Sequence, residues 1–401
     1  MKQVKTKVFL NTDFLTEILS RVPAKELLTL KLVCKDWHSV ITSRSFAKAQ
    51  LGRTEVVFTG FILQEKFRWC KEDIKTVSYI FVREMARGGC KVNLTVFDFL
   101  PEDVVMLASY KGLVCCRSCF PSQNLFIYVC NPWSREWVKL DWPWSIPSQY
   151  DMSNSQINMP LALAFDFDPS KSFLETFKLV RVKQVEVEPD EDDDDQEAEL
   201  YFTFELYSSE IGAWRKSNER CQCYSKLVNN EGIYIGGLLH WLNGYRVLIF
   251  DVENELSLLV PEPVPMSEFM VIPEVCIGES EGMLHYVVMS EQGVHVWCLE
   301  DCYEYRWILK YCKSLEDIER EWPQSFINLK VHVLERVNGP WVIPLAFRDG
   351  LLLMMCVNLY LFDIKNNKMV QTCSIQDLKS QCIVNPTVLA HSLSLISFNT
   401  V

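Results

Sequence analysis

The first fifty residues carry apolar positions at helical spacing. The first stripe is formed by Phe14, Leu15, Ile18 and Leu19, which recur at i, i+1, i+4 and i+5. Thr12 is the predicted N-cap of this helix. Pro23 ends the helix and suits the first position of the next one. Two further stripes follow, at Leu27, Leu30, Val33 and Cys34 and at Trp37, Val40 and Ile41. The pattern predicts a compact group of short helices.

A helical unit this small rarely folds without help. Below about 40–50 residues a chain seldom buries enough surface unless a metal or disulfide adds stability, and the first fifty residues show neither. We therefore interpret residues 1–50 as a docking module that buries apolar surface against a partner. The alternative is that these helices pack on the rest of their own chain.

From about residue 55 onward, the spacing changes to the alternation of strands with one buried face. Phe202, Phe204 and Leu206 alternate with Thr203 and Glu205, for example. A degenerate repeat is also present: a glycine, an apolar strand, a turn, an aromatic-rich strand ending in Asp or Asn, and a further strand. The clearest copies begin at Gly112, Gly237, Gly282 and Gly350, and less regular ones span 56–99 and 161–214.

This repeat is typical of propeller blades, which are small antiparallel sheets covered by their neighbours. We expect about six blades. The apolar segment 387–398 is predicted to pair with the first blade and close the ring, which protects exposed strand edges. The predicted fold is α+β and multidomain: a small all-α module over residues 1–50, then an all-β propeller-like domain over residues 56–401.

The segment from Leu10 to Trp37 closely resembles an F-box. The matching positions are Leu10, Ile18–Leu19, Val22–Pro23, Leu27, Val33–Cys34–Lys35 and Trp37. One departure is Leu10–Asn11 where the motif usually has Leu-Pro. The resemblance implies binding to the Skp-type adaptor of an SCF (Skp–cullin–F-box) ubiquitin ligase. It assigns that contact to Leu10, Phe14, Leu15, Ile18, Leu19, Val22, Pro23, Leu27, Leu30, Val33 and Trp37.

The remainder resembles the F-box-associated, kelch-like domain of plant proteins. The residues that carry this resemblance are Gly112–Cys115, Asn131–Pro132, Arg135–Trp137, Ala164–Asp166, Tyr207–Ser209, Trp214–Arg215 and Gly237–Trp241. A true kelch repeat has a Gly-Gly pair in every blade, and only Gly236–Gly237 obviously provides one here. We therefore prefer the F-box-associated, kelch-like domain to a strict kelch propeller.

The net charge of −12 is concentrated in one segment. Residues 186–199 hold ten Asp and Glu, so the rest of the chain is nearly neutral and lacks the basic field of a nucleic-acid-binding protein. This acidic run separates two predicted neighbouring strands and is read as a long, disordered hairpin loop. The alternatives are a recognition segment for a basic partner or a weak divalent-cation site. No segment is long and apolar enough to suggest a membrane span.

The candidate chemistry is weak. Cys116 and Cys119 have CxxC spacing, but neither a second pair nor a His pair completes a zinc site, and no catalytic motif is present. We therefore expect no metal, no cofactor and no catalytic residue. His240 and His285 occupy equivalent repeat positions. They are either buried strand histidines or, in the catalytic alternative, a facing pair near the central channel.

The tryptophans divide into two groups. Trp137, Trp214, Trp241, Trp297 and Trp307 fall at repeat positions and are predicted to pack the blades. A second group, near a proline-rich loop, is the candidate substrate contact, and it consists of Trp133, Trp142 and Trp144.

The resemblance implies a non-catalytic substrate-recognition subunit of an SCF ubiquitin ligase. The expected partners are the Skp-type adaptor, cullin through that adaptor, and an unknown protein substrate, with no nucleic acid and no membrane. The expected location is the nucleus, the cytoplasm or both. Two alternatives stay open: a scaffold that binds the adaptor outside a ligase, and a propeller enzyme with a helical leader.

Overall fold

The computed structural model describes most of the chain in segments. These are residues 11–53, 57–66, 77–82, 92–93, 96–119, 125–142, 161–165, 177–187, 199–225, 227, 231–334, 342–356, 358–373 and 384–396. In this part of the chain, no helix has the length and apolar character that a bilayer crossing requires.

Four short helices open the chain. They are α1 (Thr12–Leu19), α2 (Ala24–Leu30), α3 (Lys35–Ile41) and α4 (Arg44–Arg53). The predicted helical module is confirmed, but the predicted cap is wrong by one residue. Asn11 is the N-cap of α1, and its Oδ1 accepts a hydrogen bond from the Asp13 backbone N–H at 3.2 Å. The residue that replaces the usual proline therefore satisfies one of the free amide groups at the start of the helix.

The rest of the described chain forms four-stranded antiparallel blades. The first contains β1 (Phe58–Lys66), β2 (Val77–Phe81), β3 (Val92–Asn93) and β24 (Val384–Ser392). The second contains β4 (Val104–Tyr110), β5 (Leu113–Ser118), β6 (Phe126–Asn131) and β7 (Glu136–Asp141). The third contains β8 (Leu161–Phe165), β9 (Phe177–Val187), β10 (Glu199–Ser208) and β11 (Ala213–Cys223).

Three more blades follow. The fourth contains β12 (Gly232–Ile235), β13 (Leu238–Asn243), β14 (Arg246–Asp251) and β15 (Ser257–Val260). The fifth contains β16 (Glu274–Ser280), β17 (Met283–Ser290), β18 (Gly293–Asp301) and β19 (Arg306–Lys313). The sixth contains β20 (Ile343–Arg348), β21 (Leu351–Met355), β22 (Leu359–Asp363) and β23 (Lys368–Cys373). Helices α5 (Leu315–Glu321) and α6 (Leu329–Leu334) connect the fifth blade to the sixth.

The fifth and sixth blades share one eight-stranded sheet, so the predicted six blades correspond to five hydrogen-bonded sheets in the described residues. Their first strands pair in parallel, with Gly278 opposite Phe347. A Cβ at Gly278 would lie 2.0 Å from the Phe347 carbonyl oxygen. Glycine is therefore what allows the two backbones to approach this closely.

The C-terminal strand closes the ring. β24 pairs antiparallel with β1, with Ile62 opposite Leu389, and it occupies the first position of that blade, next to three strands from near the N-terminus. The predicted closure is confirmed. It joins residues more than three hundred positions apart, and it covers the edge of β1 that would otherwise be unpaired.

The turns repeat from blade to blade. The first-to-second-strand turns at Lys111–Gly112, Glu281–Gly282 and Asp349–Gly350 have positive φ at both residues, the backbone of a tight type I′ hairpin. At the third-to-fourth-strand turns, the Asp or Asn that ends the third strand accepts backbone N–H bonds. Asp251 Oδ1 accepts two of them at 2.9 Å, from Glu253 and Asn254. This is the physical reason for the Asp or Asn in the repeat.

The predicted packing role of the repeat tryptophans is confirmed for several of them. Trp241 is fully buried in the core between the third and fourth blades. Trp137 and Trp307 each lie edge-on to a tyrosine of their own blade, with ring centroids 5.6 Å apart. The blades are therefore held by aromatic and aliphatic packing between neighbouring sheets.

The acidic run lies between two paired strands, as predicted. Val187 at the end of β9 is opposite Glu199 at the start of β10. The predicted loop, 186–199, is too long at both ends, because Glu186 and Val187 belong to β9 and Glu199 belongs to β10. Residues 188–198 lie outside the described residues, so the prediction that they form a disordered loop stays a prediction.

Candidate functional site

Helix α1 has one buried face and one exposed apolar face. Leu15 and Leu19 are only 5% and 2% exposed and belong to the core of the helical module. Phe14 and Ile18 are 65% and 57% exposed. They are four residues apart and therefore lie on one side of the helix. Two large apolar side chains that are exposed on the same side of a helix are typical of an interaction surface.

A second exposed apolar group lies between α2 and α3. Leu32 and Val33 are exposed there, in the turn that links the two helices. Cys34 follows and is the N-cap of α3, with its Sγ accepting a hydrogen bond from the Trp37 backbone N–H at 3.5 Å. Trp37 itself is half-buried.

The residues predicted to bind an adaptor therefore divide by burial. Phe14, Ile18, Pro23 and Val33 are exposed; Val22, Leu30 and Trp37 are half-buried; Leu15, Leu19 and Leu27 are buried. Leu10 lies outside the described residues. In this structure, only the first two groups present surface to a partner, while the buried leucines hold the helices together. The assignment of adaptor contacts stays a prediction.

Charged residues brace α1 against α4. Glu17 forms ion pairs with Arg21 at 2.6 Å and with Arg53 at 2.5 Å, and Arg53 also donates to the buried Ser20 Oγ at 2.9 Å. Hydrogen bonds from Arg21 and Arg53 lower the pKa of Glu17. These ion pairs are largely exposed, so they add little to the stability of the module and mainly orient α4 relative to α1.

The C-terminal segment completes the core of the helices. Leu393 and Leu395, which follow β24, are buried in the same cluster as Leu15, Leu19 and Leu27. Sequence reasoning missed their role. The only signal for this role was that the apolar segment 387–398 continues beyond Ser392, where β24 ends.

The second blade holds this segment in place. Asn131 Nδ2 donates to the carbonyl oxygens of Ser394 at 3.2 Å and Ile396 at 2.8 Å. His391 Nε2 lies 3.2 Å from the Gly112 carbonyl oxygen. The segment therefore contacts both the propeller and the helices.

The helices also touch the propeller directly. Lys25 Nζ lies 5.6 Å from the centroid of the Phe81 ring, and that ring packs edge-on to Trp133 with centroids 6.4 Å apart. Lys31 of this module interacts with Glu136; burial lowers the pKa of the Lys31 ammonium, and the carboxylate partly offsets this. Trp133 therefore lies near the junction between the helices and the propeller.

The candidate substrate tryptophans do not lie together. Trp133 precedes β7 and Trp142 follows it, so they lie at opposite ends of a strand about 20 Å long. Trp142 packs on the third blade, with the Arg181 guanidinium 4.9 Å from its ring. Trp144 lies outside the described residues. A single cluster of Trp133 and Trp142 is therefore excluded, and a role in substrate contact stays a prediction for each residue.

The histidines favour the packing interpretation over the catalytic one. His240 is buried, its Nδ1 lies 3.2 Å from the Ile233 carbonyl oxygen, and burial lowers its pKa to about 4. His285 Nδ1 lies 3.1 Å from the Met283 carbonyl oxygen. Both histidines are on the second strand of their blade, so neither belongs to the innermost strands that surround the axis.

The cysteine pairs show no metal-binding arrangement in the part of the chain that the structure describes. Cys116, Cys221 and Cys223 are buried free thiols, and Cys119 is half-buried. Burial raises the pKa of the Cys116 thiol well above its ordinary value, which disfavours the thiolate that a metal requires. No group of three His, Cys, Asp or Glu that could hold a metal occurs among the described residues.

Comparison with known proteins identifies both parts of the chain. Residues 10–48 match the F-box domain, and residues 94–336 match the family described as "F-box protein At3g26010-like, beta-propeller". The chain belongs to this F-box propeller family. Its F-box module is formed by α1 to α4, and its propeller follows.

The relatives are plant proteins. The chain is 24% identical to "F-box protein At5g49610" of Arabidopsis thaliana, over 78% of this chain and 81% of the relative. It is 25% identical to "F-box protein At5g07610" of the same plant, over 78% and 72%. A chain of the "Crystal structure of Nidogen/Laminin Complex" aligns with a TM-score of 0.40 and 9% identity, over 83% of this chain and 98% of that chain; a likeness this low supports no argument.

Proposed function

We propose that this protein is the substrate-recognition subunit of an SCF ubiquitin ligase. Its F-box module binds a Skp-type adaptor, which links it to cullin, and its propeller binds a target protein. The observation that carries this proposal is the exposed pair Phe14 and Ile18 on an F-box helix whose other face, through Leu15 and Leu19, is already buried. The exposed face of α1 is apolar, and a bound partner would remove it from water.

In this role the protein has no active site of its own. It accelerates ubiquitin transfer by raising the local concentration of target lysines near a charged ubiquitin-conjugating enzyme. The nucleus, the cytoplasm or both are the compartments in which we expect it to act.

The adaptor contact is tested by co-purification of the full chain with a Skp-type adaptor. We expect the double variant Phe14→Asp with Ile18→Asp to bind the adaptor at least about tenfold more weakly, because loss of an interface anchor costs about 1–2 kcal/mol or more. Leu256→Asp is the matched control, since Leu256 is 58% exposed on a propeller turn. Changing Leu19 would be a poor test, because a charge there would unfold the module itself.

Two results would contradict the proposal. Adaptor binding that is equal in the wild type and the double variant would remove the role of α1. An adaptor complex that fails to recruit purified cullin would favour the scaffold alternative over a ligase subunit.

A further inference from the structure

The two edges of the propeller differ in what they carry. Because the strands of a blade alternate in direction, the first-to-second and third-to-fourth turns lie at one edge, and the remaining connections lie at the other. The F-box module and the C-terminal segment contact Gly112, Asn131 and Phe81 at the first edge, which we name the helix edge. The opposite edge, which we name the loop edge, includes the turn Glu291–Gln292 between β17 and β18 and the connection 261–273 between β15 and β16.

The loop edge presents exposed apolar side chains. Met270 and Ile272, in the connection 261–273, are 84% and 62% exposed. We name these two residues the loop-edge patch. Exposed side chains of this size, two positions apart in one connection, are candidates for interface anchors.

The patch is held in place before any partner arrives. Glu291 is buried, and its Oε1 accepts a hydrogen bond from the Met270 backbone N–H at 2.9 Å. Gln292 Nε2 donates to the Glu268 carbonyl oxygen at 3.3 Å. The connection also contains prolines at positions 261, 263, 265 and 273, which restrict the free chain. Binding of a partner therefore costs little free energy for ordering this connection.

The surroundings of the patch are acidic. Residues 261–274 contain Glu262, Glu268 and Glu274 and no Lys or Arg. The second oxygen of the buried Glu291 carboxylate, Oε2, has no hydrogen-bond partner among the described residues. It belongs to the same carboxylate that holds Met270, so this unpaired acceptor lies directly beside the patch. Arg246, at the start of β14, is a nearby cation on the same edge. Its guanidinium group lies over the Tyr224 ring, 5.0 Å from the centroid, toward the third blade.

We propose that the loop-edge patch docks a basic segment of the target protein that packs an apolar side chain against Met270 and Ile272 and places a Lys or Arg toward the glutamates. This inference rests on the proposed function. The charge of the patch's surroundings selects the chemistry, because an unpaired buried carboxylate oxygen and three glutamates favour a cation and disfavour an anionic segment.

The probe is a random library of 12-residue displayed peptides, selected against the full chain in complex with its adaptor. We expect the selected peptides to carry net positive charge and a large apolar residue. We expect their affinity to fall at least tenfold in the double variant Met270→Ser with Ile272→Ser, severalfold in Glu268→Gln, and with rising salt. The matched control is the double variant Leu256→Ser with Tyr303→Ser, which removes two exposed apolar side chains from the helix edge of the same two blades and should leave the affinity unchanged.

The inference and the proposed function fail in different ways. Selected peptides that are neutral or acidic, peptides that bind the Met270/Ile272 variant as well as the wild type, or a selection that yields no binder would each overturn the docking site while adaptor binding persists. A chain that binds no adaptor would instead refute the proposed function, on which the inference depends.

Discussion

At the scale of single residues, two buried histidines carry an unexpected energetic role. His391 is fully enclosed at the closure of the ring, with Nε2 facing the Gly112 carbonyl oxygen at 3.2 Å and Nδ1 facing the Tyr79 hydroxyl at 3.1 Å. Because a carbonyl oxygen only accepts, Nε2 must carry the proton and Nδ1 must accept from Tyr79. The neutral tautomer satisfies both bonds, and a second proton would place a positive charge in this buried site.

The histidines predict acid sensitivity. Burial lowers the pKa of His391 and of His240 to about 4, while an unfolded histidine titrates near 6.5. Their neutral forms therefore stabilise the fold fully above pH of about 6.5, and this stabilisation is lost as the pH falls toward 4, by up to about 1.4 kcal/mol per pH unit for each histidine. Urea unfolding at pH 7, 6 and 5 measures this slope. We expect His391→Gln, which keeps a donor for Gly112, to reduce the slope by one histidine's share, and an unchanged slope would contradict the assignment.

At the scale of elements, the blades are built from the same two turns used repeatedly. Gly112 and Gly282 occupy the same position in two blades, with φ of 86° and 73°. Their surroundings differ. A Cβ at Gly112 would lie 2.4 Å from Ser394 Oγ and 2.9 Å from the Ser392 carbonyl oxygen, whereas a Cβ at Gly282 would meet nothing within 4 Å.

This pair gives a controlled comparison. Gly282→Ala should lower the free energy of unfolding by about 1 kcal/mol, which is the cost of a left-handed backbone conformation for alanine. Gly112→Ala should lower it further, by roughly 1–3 kcal/mol more, because the methyl group overlaps the C-terminal segment. Chemical denaturation of the two variants tests the difference. Equal losses would show that the segment does not pack on Gly112 in solution.

At the scale of the whole molecule, the C-terminal segment joins the F-box module to the propeller. Its strand closes the first blade, and its next residues enter the core of the helices. The exposed face of α1 and the loop edge are therefore parts of one connected body, and the segment fixes the position of the adaptor surface relative to the propeller.

The double variant Leu393→Ala with Leu395→Ala tests this connection. Each truncation removes a buried leucine side chain and should cost about 2–5 kcal/mol, taken mainly from the F-box module. We expect faster amide hydrogen exchange in α1 to α4 and weaker adaptor binding, with little change in the blades that do not touch the segment. Unaltered exchange in the helices would mean that the module folds without the segment.

The sequence by itself determined the elements of this protein. Helical and alternating periodicities, the glycine at several first turns and the Asp or Asn at several later ones are local signals. They correctly separated a module of short helices from repeated blades and anticipated the closing strand, but they did not predict α4 (Arg44–Arg53). The same signals could not divide the apolar stripe of α1 into the buried Leu15 and Leu19 and the exposed Phe14 and Ile18. That division depends on what packs against the helix.

Only the tertiary structure decided the functional surfaces. It placed Leu393 and Leu395 among helices nearly four hundred positions earlier in the chain, separated Trp133 from Trp142 along one strand, and set Met270 and Ile272 on the edge opposite the F-box. Periodicity reports which side chains share a face of one element. Burial is a property of contacts between distant elements, so it is settled only when the ring has closed and the C-terminal segment has reached the helices.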